Sequence, residues 1–506
     1  MLNLRFIGPT GCLLAGSLLL GGCFEPAKPK ESVAEEKRIR LAMLQPPRSG
    51  LTPLSDDAFK LSRWSNAETL VVLNANGDAE PALATEWQQI DERRWRFVLR
   101  QGVSFHDGSV MTAQSVVRSL SAAINAAPKP RILDGVELSI TAEGDNAVLI
   151  ATARPDPLIP QRLSSPQLAI LAERAYAANG VVNPLQAGTG AFVLTEINGT
   201  SSARLNRFDG YWGEKAAAPG IDVSFVPDSN ARAAALRTGS ADLVEALPVS
   251  QLPLIEAGLI HEVPMPRTNT LYLNTRVGAF RDPAVRAAAA AAAAAAVQRQ
   301  QLVDNVYEGR ADLATGLLGP ALPWAASLRQ PQPAIPPAAV KGQTITLATF
   351  SDRAELPEVA VYLAQQLSAA GFTVKQEVRE YAHIEADALA GKFDAFILSR
   401  ATVLDSGDPV AYMYSDFACR GSFNIAQLCD PAVDKALTHA ATIPAGAQRR
   451  QAIIEAESLI LATHAAIPLL HERVIQGEAA TMQHAERDPR ERRLVTPRSV
   501  ISAGQP

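Results

Sequence analysis

Strong charge of one sign, long apolar runs and metal-ligand clusters are all scarce in this chain of 506 residues. Lys and Arg number 47 against 52 Asp and Glu, a formal net charge of −5, which argues against the basic surface that nucleic acid needs. Seven histidines, at 106, 261, 383, 439, 464, 471 and 484, show no metal-ligand spacing, so no direct metal site is expected. Beyond the first residues no stretch of real hydrophobicity is long enough to span a bilayer. The nearest, Ala287–Ala296, is alanine, a weak membrane residue and a strong helix former, and reads as a closely packed soluble helix opening near Asp282-Pro283. Gly-x-Ser-x-Gly, HExxH, a phosphate-loop lysine motif and GxGxxG after a strand are all missing. An enzyme is therefore not expected and no cofactor is implied, although an exported hydrolase stays as the rival class. Cysteine is rare, with four at 12, 23, 419 and 429.

The positions of those cysteines carry information. The chain opens MLNLRFIGPTGCLLAGSLLLGGC, with Arg5 ahead of an apolar run from Cys12 to Leu20. This is too short to span a bilayer but fits the apolar part of an export signal, here residues 1–22. Leu20-Gly21-Gly22-Cys23 resembles the bacterial lipobox, in which the peptidase cuts before the cysteine and the new N-terminus is acylated. That predicts a lipid on Cys23, anchoring a body that does not cross the membrane. Residues 23–38 form the tether, with prolines and mixed charge and no apolar face to bury. With Cys12 removed and Cys23 acylated, Cys419 and Cys429 remain in an oxidising compartment and are expected to pair. Closing so short a loop is worth about 2–3 kcal/mol.

The mature chain is long enough for two or more domains. IRLAM reads as an early strand. In RRWRFVLRQGVSFHDG, Trp95, Phe97 and Leu99 alternate with charge at strand period. Thr112 suits the N-cap of the helix that follows, and Asp228 that of a later one. His106 and Asp107 read as a structural turn and Trp212 as packing. The clearest local architecture lies at 344–398: strand TITLATF, a helix with Pro357 in its first turn and Gly371 as its stop, strand FTVKQEV, a second helix, and strand FDAFIL. A β-α-β-α-β run implies a parallel sheet. In open α/β sheets ligands bind beyond the carboxyl ends of the strands, which singles out Arg353 after the first strand, Arg400 at the end of the third, and Asp405, Asp408 and Tyr412 in the segment beyond. Charges of both signs there suit a charged or zwitterionic ligand. Asp408 could instead be a helix cap, and Arg400 could form a structural ion pair.

Four segments in order carry a family resemblance: PALATEW…WRFVLRQGVSFHDGSVMTAQSVVRSL, GTGAFVLTE…RFDGYWGEKAAAPGIDVSFVPDSNARAAALRTGSADLVE, LYLNTRVGAFRDPAVRAA, and SGDPVAYMYSDFACRGSFNIAQLCDPAVDKAL. The chain resembles the family 5 solute-binding proteins of ABC importers, the oligopeptide, dipeptide and nickel-binding group. The resemblance implies an α/β, two-lobed periplasmic binding protein fold (class II, cluster C type) with an extra domain. Lobe I would comprise 39–75, 185–278 and 477–506, the extra domain 76–184, and lobe II 279–476, with hinge crossings near Asn274-Thr275 and Gln476-Gly477. It implies a periplasmic monomer, held to the membrane by its lipid, that closes on a small polar ligand and delivers it to an ABC permease. Short peptides are the first expectation, with Asp408 holding the α-amino group and Arg353 the carboxylate. Nickel or another metal carried as a chelate is the alternative. It gains from Arg400-Ala401-Thr402 standing where peptide binders place an aromatic, since an arginine favours an anionic group.

Overall fold

The long strand Ile260–Leu273 organises the molecule by pairing antiparallel with Ala466–Glu478 along most of its length. The computed structural model describes residues 37–502 apart from 75–77, 178, 332–334, 404–405 and 445. The expected signal, the lipidated Cys23 and all but the last residues of the tether lie outside the described residues. So does Asp405.

Among the described residues one sheet has eleven strands. On one side of the long pair, Ala395–Ala401, Thr344–Phe350 and Thr373–Arg379 follow outward. On the other lie Leu243–Val244, Ile39–Met43, Gly220–Phe225, Ser202–Arg207 and Phe192–Asn198. Thr344–Phe350 pairs in parallel with both Thr373–Arg379 and Ala395–Ala401, the topology that the β-α-β-α-β reading predicts. The helix between them spans Glu355–Ala369. It buries Leu356, Val359, Leu363 and Leu367 on one face, and Gly371 closes it at φ +103°.

Residues 267–273 already pair with Ala395–Ala401. The long strand thus reaches the second sheet half several residues before Asn274, and its register shifts between Pro264 and Arg267. Two large apolar cores flank this crossing. One gathers residues between Leu271 and Leu470. The other joins Ile39–Met43 and Gly220–Phe225 to the four-stranded antiparallel sheet of residues 84–152. Two separate cores joined by two long strands are the physical basis of two lobes.

Local signals explain the elements. Arg94–Leu99 buries Trp95, Phe97 and Leu99 alternately. Thr112 closes a capping box with Ser115 ahead of helix Ala113–Ile124. Asp228, Asp282, Asp408 and Asp430 each cap a helix through a side-chain oxygen. The alanine run does not form one continuous helix. Pro283–Ala293 stops at Ala294, and a second helix, Ala296–Asn305, starts after Ala295 turns extended. Cys419 and Cys429 are bonded, 2.12 Å between sulfurs.

Candidate functional site: a cation-walled cavity between the lobes

A cavity of about 140 Å³ lies where the carboxyl ends of strands from both sheet halves meet. Ile39–Met43 ends in Met43, Leu44, Gln45 and Arg48 along one wall. The next turn and helix Ala58–Arg63 add Asp56, Phe59, Lys60 and Arg63. The opposite wall is Phe350, Arg353, Tyr381, Ser399 and Arg400. Arg131 reaches in from the extra-domain segment, Arg267 from the crossing strand, and Glu491 from the C-terminal tail. The walls thus gather at and just beyond the carboxyl ends of Ile39–Met43, Thr344–Phe350, Thr373–Arg379 and Ala395–Ala401, where open α/β sheets bind their ligands.

Seven of the nineteen lining residues are Arg or Lys and three are Asp or Glu. Further carboxylates stand behind the wall and orient these cations. Asp416, fully buried, takes Arg400 in two bonds of 2.7 and 2.8 Å. Arg400 also lies over the Phe423 ring at 4.3 Å. Asp57 accepts from Lys60 at 3.0 Å. Glu385, in helix Tyr381–Leu389 beside the opposite wall, pairs with Arg48. Burial alone would lower the Arg400 pKa, but Asp416 more than offsets it and keeps the guanidinium charged. Burial likewise opposes the charge on Asp56, yet Arg131, Arg48 and Arg400 hold it well below the usual carboxylate range. Arg353 has no such close partner: its nearest carboxylates are Glu472 at 3.7 Å and Glu491 at 3.9 Å.

Further contacts tie the two walls. Arg232, 0 % exposed, donates to the Asp352 carbonyl at 3.1 Å, and burial lowers its pKa to about 10. The Val249 amide donates to Glu355 at 2.8 Å. The Ser422 amide donates to Asp134 of the extra-domain segment at 2.9 Å.

Of the residues singled out in the sequence, Arg353 and Arg400 meet in this cavity. Asp408 does not line it. Its carboxylate caps helix Pro409–Phe417 and takes Arg449 in two bonds of 2.8 and 2.9 Å, so both oxygens are already engaged and the ammonium-binding role has no geometric support. Arg400 does form a structural ion pair, with Asp416 sixteen residues on. Tyr412 is buried behind the wall, edge-on to Phe417 at 6.0 Å. His106 is a turn residue bonded through Nε2 to the Gly190 carbonyl at 2.8 Å. Trp212 donates to the half-buried Glu68 at 2.9 Å. Sequence reasoning missed Arg48, Lys60, Arg131, Arg267, Tyr381 and Glu491. The strand-end rule, applied to Ile39–Met43 and Thr373–Arg379, would have found Arg48 and Tyr381. Nothing local marks Arg131 or Glu491.

A two-lobed α/β body with a polar cavity at the carboxyl ends of both sheet halves defines a solute-binding protein. The family model for bacterial extracellular solute-binding proteins, family 5 (middle part), matches residues 78–424, and the chain belongs to that family, which serves ABC importers. The nickel-binding periplasmic protein of Escherichia coli is 27 % identical over 280 residues, covering 51 % of each chain. NikA of Staphylococcus aureus, solved with Ni(L-His)2, superposes with a TM-score of 0.82 at 20 % identity, covering 92 % of this chain and 100 % of that one. DppA of Helicobacter pylori, solved with the peptide STSA, gives 0.78 at 20 % identity, with 92 % and 98 % covered. The chain spans about half the length of the Escherichia coli relative it matches. These relatives are binding proteins of transporters. Among the described residues no helix is long and apolar enough to cross a membrane.

Proposed function

We propose that this protein captures a small carboxylate-bearing solute outside the cytoplasm and hands it to an ABC permease, tethered meanwhile by a lipid on Cys23. The observation that carries the reading is the cation-lined cavity whose walls come from both sheet halves. A solute touching both walls stabilises the closed state in proportion to its differential affinity for it. In this reading 39–75, 185–278 and 477–506 act as lobe I, 76–184 as the extra domain and 279–476 as lobe II. Arg400 is the solute contact, and Arg353 lines the same cavity.

Short peptides fit through their carboxylate, and a peptide is what the Helicobacter pylori relative holds. The excess of cations on the wall favours a second reading, a metal enclosed in an anionic chelator, as with the nickel–histidine complex of the Staphylococcus aureus relative. Native mass spectrometry of the protein as purified separates the two. A ladder of peptide masses supports the first and a metal isotope pattern the second. A protein that retains nothing, and whose melting no peptide or chelate moves, refutes solute capture. Labelling of the mature chain with palmitate, lost in Cys23→Ser, tests the anchor.

A further inference from the structure

Glu491 is the one tail residue among those lining the cavity, and the tail is built to deliver it. Its backbone sits in the left-handed region at φ +55°, which a glutamate adopts only when its surroundings impose it. Asp488 gathers the loop by accepting from the amides of Arg490, Arg492 and Arg493 at 2.9, 3.1 and 3.1 Å. Ser62 donates to the Arg492 carbonyl at 2.8 Å, and the Leu494 and Val495 amides donate to the Arg63 carbonyl at 3.1 and 2.9 Å. Arg492 itself is fixed on Ser164.

The delivered carboxylate pairs with Arg267 and stands 3.9 Å from Arg353. Arg63 lines the same cavity and is paired with Glu245. These arginines come from three places: the helix Ala58–Arg63, the crossing strand and the turn that follows Thr344–Phe350. Even so, the buried Nε atoms of Arg63 and Arg267 find no acceptor among the described residues. Two guanidiniums with spare donors, and a third within 3.9 Å of the same carboxylate, make the chemistry of a carboxylate site.

We propose that Arg63, Arg267 and Arg353 form a carboxylate subsite at one end of the interlobe cavity, and that Glu491 of the chain's own tail fills it. The tail then acts as a selector. It neutralises one end of the cavity, leaves the Arg400 and Arg131 end for solute, and excludes solutes that need an anchored carboxylate at both ends. The selector role rests on the cavity being the solute site; the occupancy of the subsite does not.

Chemical rescue in the full-length protein tests this. Glu491→Gly removes only the side chain and suits the left-handed backbone. Its melting midpoint should fall below that of the wild type. Acetate or propionate should restore at least half of the loss, while chloride at equal ionic strength does not and the wild type stays unmoved. Adding Arg353→Met to Glu491→Gly should abolish the rescue. Succinate, titrated calorimetrically, should bind the glycine variant at least tenfold more tightly than the wild type. Absence of rescue, or rescue that persists without Arg353, overturns the subsite. Rescue without the gain in succinate binding overturns the selector. Rescue of the glycine variant alongside a wild type that retains no solute would refute capture and leave the subsite standing.

Discussion

Replacing Asp408 with alanine separates two accounts of this residue. If it held a ligand ammonium, the loss would appear in binding. In the structure the loss falls on stability. Arg449 is 3 % exposed at its side chain and Asp408 16 %, and two bonds under 3 Å join them. Removing one partner of a buried pair costs about 3–5 kcal/mol, because the other charge is left uncompensated. Arg449 keeps its bonds to the Ala440 and Ile443 carbonyls, which places the cost near the lower end of that range. Losing the cap on the Val410 amide adds about 1 kcal/mol. Asp408→Ala should therefore destabilise the core around helices Pro409–Phe417 and Ala447–Ala462 by about 3–4 kcal/mol. Asp408→Asn, which keeps a capping oxygen, should lie between. The assay is urea denaturation followed by hydrogen exchange in those helices, with solute affinity measured well below the transition. An alanine variant of wild-type stability that has lost most of its solute affinity would refute the reasoning.

Arg400→Met should destabilise by about 3–5 kcal/mol by leaving Asp416 buried and unpaired, and adding Asp416→Leu should recover much of that; a double variant no better than the single would show that the pair is not the cause. Burial lowers the pKa of both His106 and His471 to about 4. An unfolded histidine takes up its proton near 6.5 and these two do not. Their contribution is thus fully present above pH 6.5 and lost as the pH falls toward 4. Denaturation midpoints should decline across that window, less steeply in His471→Asn, and equal slopes would refute the assignment. Gly135 has φ +71°, and a Cβ there would lie 2.6 Å from the Tyr414 ring. Gly135→Ala should loosen the segment around Asp134 from the loop at Ser422, read as faster exchange of the Ser422 amide; unchanged exchange would show that the contact does not hold that loop.

Local chemistry made most of the fold legible in the sequence. Period-two alternation placed Arg94–Leu99, and Thr112 and Asp228 placed helix starts. Pro357 and Gly371 bracketed a helix, and three apolar runs separated by helices dictated a parallel sheet. Each of these is settled within a few residues of chain. The candidate site was half legible. Strand polarity found Arg353 and Arg400 because a strand end is a local feature whose direction the topology fixes. It said nothing of which partner a charge takes. Asp408 and Arg449 are forty-one positions apart, and only packing decides that one oxygen pair serves a helix cap and a buried guanidinium instead of a solute. Arg131 and Glu491 reach the cavity from the extra-domain segment and from the tail, and no spacing in the sequence encodes that approach. The sequence by itself determined the elements, the family resemblance and the edge of the sheet at which the cavity lies. The tertiary structure alone decided the charge lining the cavity, because electrostatic partners are chosen by distance in space and not by distance along the chain.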